Sequence, residues 1–226
     1  MSSPTPPSPA ATPVSLTERR KAATRMDIAR AAAQLFVKHG LRATRAEDIA
    51  QAAGIAPRTF YRYFATKEES VAPLYAAGAQ LWAEAVRQAP ADLTVPQALE
   101  HAVRHTLTPG AGVSAASWEW VRTLIRLAEA SPSLRKVWAE VCQAGERTLA
   151  EVLAERLTPG GDDVAGPLPA RPDLRFAAAV ASAAVRTAVE AWATGDAPAS
   201  GPAGPAGLAL RNLGALGEFP WEGCRG

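Results

Sequence analysis

The sequence predicts an all-α protein, and three observations carry that expectation. Apolar residues make up 48% of the 226-residue chain, with much of that alanine and few β-branched residues, a balance that favours helices over strands. Apolar positions recur at helical spacing, and no strand alternation or internal repeat stands out. The interruptions fall at Pro, Gly and capping-box residues, where helices end and begin. The length suits one large domain or a small domain joined to a larger one, with enough chain to bury a real core.

Residues 1–16, rich in Pro, Ser and Ala, have no charged n-region or apolar h-region, and are expected to form a disordered tail. From Leu16 to His39 a helix follows, because Ile28, Ala31, Ala32, Leu35 and Phe36 recur at i, i+3, i+4, i+7 and i+8. Gly40 ends it, with Lys38 and His39 suited to the negative end of the helix dipole. Thr44-Arg45-Ala46-Glu47 reads as a capping box, so a short second helix starts near Arg45, with Ile49, Ala50 and Ala53 inward, and stops at Gly54. Pro57 opens a third helix at a position where its missing N–H costs nothing. Thr66-Lys67-Glu68-Glu69 is a second capping box, predicting a fourth helix from Lys67. Three helices in so short a span, with a tight Gly turn between the second and third, have the form of a helix-turn-helix.

The third helix explains an unusual run, Arg58 to Phe64, in which arginine, tyrosine and phenylalanine crowd together. At about 100° per residue, Phe60 and Phe64 lie back to back with Arg58 and Arg62. Thr59 and Tyr63 flank the arginine face on one side and Tyr61 on the other. Two aromatic anchors therefore leave guanidinium, hydroxyl and phenol groups outward, a set able to read base edges and hold phosphates in a major groove. Charge agrees: residues 17–70 hold 11 basic and 6 acidic side chains, an excess of five, although the whole chain carries only +2.

The stretch "TRAEDIAQAAGIAPRTFYRYFATKEE" resembles the N-terminal DNA-binding domain of the TetR family of bacterial transcriptional regulators. The resemblance implies a homodimer in which residues 17–66 form the helix-turn-helix domain and residues 67–226 a helical domain for effector binding and dimerisation. It further implies that Thr44 and Lys67 meet phosphates from helix N-termini and that Arg58 and Thr59 reach bases. Tyr61 and Tyr63 position the helix on the DNA backbone, and Arg45 adds a base or phosphate contact. Ala56 departs from the family's usual serine cap before Pro57, at a cost of ~1 kcal/mol. Arg19, Arg20, Lys21 and Arg25 are either a phosphate or minor-groove arm or a solvated basic stretch.

Beyond residue 67 the breaks divide the chain into helices near 67–89, 96–107, 115–129, 133–157, 172–194 and 207–218, with loops at "TPGGDDVAGPLPARP" and "TGDAPASGPAGPAG". The alanine-rich helix around Ala177–Ala184 has little bulk on any face and can pack close to another; the resemblance implies that it forms the dimer surface with the helix from Leu208 to Leu216, and burial within one subunit stays open. Trp82, His105, Trp118, Arg122 and Trp138 are the candidate pocket residues, Trp118 with Arg122 being an aromatic–cation pair at i, i+4. His101 and His105 share a helix face, but no third ligand stands at a recognisable spacing, so no metal is expected. No nucleophile–base arrangement, phosphate loop or cofactor motif is present, and the expectation is a regulator rather than an enzyme. Cys142 and Cys224 are too far apart to suggest a disulfide framework, and no stretch reaches the length of a membrane helix, which together point to the cytoplasm. The partners expected are double-stranded operator DNA and a small-molecule effector. Repression released by effector is the leading reading. Activation, a corepressor, or a helical interaction module with a disused DNA face stay open.

Overall fold

The computed structural model of the protein describes residues 15–110, 115–157 and 172–221. Most of the expected tail, the loop at 158–171 and Cys224 lie outside them. Among the described residues there are nine α-helices and no strand. They are α1 (Leu16–His39), α2 (Ala46–Ala52), α3 (Pro57–Tyr63), α4 (Ala72–Gln88), α5 (Val95–Leu107), α6 (Ala115–Ala130), α7 (Pro132–Leu157), α8 (Pro172–Thr194) and α9 (Pro205–Gly214).

The first helix has the predicted bounds. Ser15 caps it by accepting from the Glu18 N–H at 3.2 Å, so the chain is already ordered into helix at Leu16, inside the span expected to be a tail. Its inner stripe packs as the spacing requires, with Ile28, Ala31, Ala32 and Phe36 buried. Two starts differ from expectation. The second helix is capped one residue later: the Arg45 N–H donates to Asp48 Oδ2 at 2.9 Å. The Thr44 hydroxyl instead donates to the carbonyls of Gly40 (2.9 Å) and Leu35 (3.3 Å), closing the end of α1. The fourth helix does not begin at Lys67. A 3-10 turn spans Glu69–Val71 before α4, because Pro73 lacks the N–H that a continuous helix would bond back to Glu69.

The α2–α3 turn is a Schellman motif: the Ile55 N–H reaches the Ala50 carbonyl (2.9 Å) and the Gly54 N–H the Gln51 carbonyl (3.1 Å). Gly54 holds φ +67°, and a Cβ there would meet no atom within 4 Å, so the demand for glycine is conformational rather than steric. Gly54→Ala should lower stability by about 1–2 kcal/mol, read as a lower melting temperature.

Among the described residues there are three cores. One joins Ile28, Phe36, Ile49, Phe60 and Phe64 to Val71 and Tyr75 beyond the third helix, and to Leu124, Leu134 and Val137 of α6 and α7. A second binds α4, α5, α7, α8 and α9 through residues such as Val86, Leu99, Leu153, Ala178 and Leu213. The third is the small cluster of Trp118, Ile125, Trp192 and Ala193. The alanines of α8 let helices approach: Ala177, Ala178 and Ala181 are buried within this chain, and Asn212 of α9 donates to the Ala184 carbonyl at 2.9 Å. Gly145 does the same between α7 and α4, where a Cβ would lie 3.1 Å from that of Ala79. The Arg156 guanidinium donates to the carbonyls of Val86, Ala89, Pro90 and Leu93, closing the C-terminal end of α4.

Candidate nucleic-acid interface and ligand cavity

The α3 helix is held from beneath. Phe60 is fully buried and Phe64, one residue past the helix in extended backbone, is 3% exposed. Above them Arg58 and Arg62 are exposed and form no hydrogen bond or ion pair with the described residues, while Thr59 and Tyr63 are half-buried at the edges. Tyr61 is exposed, its hydroxyl 3.4 Å from Glu47 Oε1, and Arg45 lies 3.7 Å from the same carboxylate. The helix start has no side-chain cap, since Ala56 offers none; Pro57 has no N–H and the Thr59 N–H donates to the Ala56 carbonyl at 2.8 Å, so the Arg58 N–H is the one left in the first turn for solvent or a phosphate.

Two residues expected to meet phosphates also make bonds within the chain. Thr44 is 2% exposed and its hydroxyl is spent on α1. Lys67 is half-buried, and its ammonium donates to the carbonyls of Leu41 and Thr44, each at 2.7 Å, so it ties the end of α3 to the α1–α2 loop. Arg25 has a similar task that sequence reading missed. Its guanidinium donates to the Tyr63 carbonyl at 3.1 Å and lies 4.6 Å over the Phe64 ring, capping the C-terminal end of α3. Its helix position gave no hint, because the partner is 38 residues away.

A cavity of about 200 Å³ opens between α4, α5, α6, α7 and α8. Trp82, Trp118 and Trp138 line it, together with Tyr75 and small residues such as Gly78 and Gly145 that sequence reading passed over. His105 and Arg122 do not. His105, like His101, is exposed on α5. The Arg122 guanidinium stacks 4.3 Å over Trp192, not on Trp118, and donates to the Ala197 carbonyl, fastening α6 to the chain after α8. Arg126 continues that clamp on the carbonyls of Ala193 (2.6 Å) and Gly195 (2.8 Å). Among the described residues no group of three or more His, Cys, Asp or Glu is placed to hold a metal.

The charges at the cavity are balanced. Arg186 pairs with Glu190 at 3.2 Å, and the same carboxylate accepts from the Trp138 indole N–H at 2.7 Å. Burial pushes the Cys142 thiol up to about 12, against the pull of nearby Arg186, so it remains protonated. Burial also raises the Tyr75 phenol, whose O–H donates to the Leu124 carbonyl at 2.9 Å.

Comparison with known proteins decides the family. The chain is 30% identical over 179 residues to the HTH-type transcriptional regulator TcmR of Streptomyces glaucescens, covering 78% of this chain and 76% of that one. Residues 28–71 match the family described as bacterial regulatory proteins, tetR family. The chain belongs to the TetR family.

The fold is that of solved TetR-family proteins. A regulator of the family from Rhodococcus sp. superposes with a TM-score of 0.54 at 17% identity, over 87% of this chain and 98% of that one. GusR of Salmonella enterica gives 0.52 at 19%, over 87% and 95%. In this TetR-family chain the matched segment runs from Ile28, through the helix-turn-helix, to Val71, the residue that joins it to α4. The protein is therefore a DNA-binding transcriptional regulator. None of its described helices is long and apolar enough to cross a membrane.

Proposed function

We propose that the protein is a ligand-responsive repressor that binds a palindromic operator as a homodimer and is released by a small-molecule effector. The observation that carries the DNA half is the exposed, unpaired guanidinium pair of Arg58 and Arg62, set over buried Phe60 on the second helix of a helix-turn-helix. In this reading residues 17–66 read DNA, with Arg58 and Thr59 at base edges and Arg45, Tyr61, Arg62 and Tyr63 holding the backbone. Residues 67–226 bind effector and dimerise. The open side of α8 supports the dimer: Phe176 is 62% exposed there, against Phe219 at 5.5 Å. A dimer would set its recognition helices ~34–36 Å apart.

Release follows from shared walls. Tyr75, Leu124 and Trp138 touch both the helix-turn-helix core and the cavity, and Tyr75 meets the Trp138 ring edge-on at 5.0 Å. An effector that prefers a different setting of these side chains would shift α4, and with it the spacing of the reading heads, by its differential affinity for the two states.

The test is binding of the purified protein to promoter fragments from beside its own coding region, at two salt concentrations and against random competitor. A palindromic footprint that survives competitor supports the reading. Binding only at low salt, or none, overturns it. In the same assay Arg58→Ala should weaken operator binding by ~1–3 kcal/mol and relax the choice of base at its position, with stability unchanged.

A further inference from the structure

Two side chains in the cavity wall have hydrogen bonds left to make. The indole N–H groups of Trp82 and Trp118 are buried, the residues being 8% and 3% exposed, and neither has a partner among the described residues. A buried donor without an acceptor is costly, and a third tryptophan in the same wall, Trp138, shows the usual solution in its bond to Glu190. Among the described residues no oxygen accepts from either orphan, although the Tyr75 and Thr106 hydroxyls, which donate to the Leu124 and Ala102 carbonyls, line the same cavity.

We infer that the effector is a compact, uncharged, ring-containing molecule with carbonyl or ether oxygens that accept from the indole N–H groups of Trp82 and Trp118. This rests on reading the cavity as the effector site. Ring character follows from the wall, where Tyr75 and three indoles offer flat apolar faces. The lack of charge follows from the Arg186–Glu190 pair, in which the guanidinium is already neutralised: a carboxylate ligand would bring an uncompensated negative charge into a largely apolar cavity. Compactness follows from about 200 Å³, below the roughly 300–1,000 Å³ of pockets for drug-sized ligands.

The test uses three matched bicyclic probes with the full-length protein: 1-tetralone, which has one carbonyl, tetralin, which has none, and 1-naphthoate, which is anionic. Dissociation constants are measured by calorimetry for wild type, Trp82→Phe, Trp118→Phe and the double variant. Phenylalanine keeps the apolar wall and deletes the donor. Tetralone should weaken about 2- to 10-fold in at least one single variant and further in the double. Tetralin should change less than twofold, which also shows that the variants are folded, and naphthoate should bind more weakly than tetralone. Equal responses of tetralone and tetralin, no response of either, or tightest binding by naphthoate would overturn the inference while leaving the cavity as a ligand site. Failure of all three to bind wild type would overturn the effector-site reading and the inference with it.

Discussion

Replacing Phe60 with alanine should remove about 3–5 kcal/mol of stability and abolish operator binding together with it. The ring is fully buried and contacts Tyr61 edge-on at 5.4 Å and Phe64 at 5.9 Å, so it supports both the reading helix and the residue that leads out of it. The seven-residue α3 is far too short to be stable alone and has no cap at Ala56, so Phe60 anchors its middle while Arg25 and Lys67 hold only its far end. The check is a thermal or urea melt beside the promoter assay. A variant that melts like wild type and still binds DNA would show that the helix is held by something other than Phe60.

Lys67→Met should cost about 2–3 kcal/mol, and the loss should be visible without any DNA present. The ammonium is the shared donor for the Leu41 and Thr44 carbonyls, and methionine fills the same space while leaving both acceptors unsatisfied. This separates two roles cleanly. A phosphate contact would leave the melt unchanged and reduce the salt slope of binding by about 1. A brace lowers the melting temperature and weakens binding through misplacement of α3, with the slope preserved.

The helical plan was legible because its punctuation is local. Gly40, Gly54 and Pro57 mark ends and starts by their own backbone chemistry, and the ends of α1 and α2 and the start of α3 follow from them. Pro73 was equally local and should have warned that no single helix could run on from Lys67. What the sequence hid were contacts made across distance. Thr44 has the right neighbours for a capping box, yet the carbonyls of Gly40 and Leu35 lie closer to its hydroxyl in the folded chain. Trp118 and Arg122 have the right spacing for a pair, but Trp192, on another helix, takes the guanidinium. The bulky half of the cavity wall was visible in Trp82, Trp118 and Trp138. The other half, Gly78 and Gly145, acts through absent side chains, and periodicity gives no weight to what is missing.

The core beneath the helix-turn-helix does not stop at residue 66, since Val71, Tyr75, Leu124 and Val137 complete it. This bears on the construction of hybrid regulators. A chimera that joins the first 66 residues of this chain to the effector half of another would present Phe36 and Phe64 to side chains shaped for a different head. A working transplant has to carry Tyr75 with the head and match its bond to the Leu124 carbonyl in the recipient. In this protein the joint between the helix-turn-helix and the helices beyond it is a packed surface, and interchangeable parts must be cut along that surface rather than along the chain.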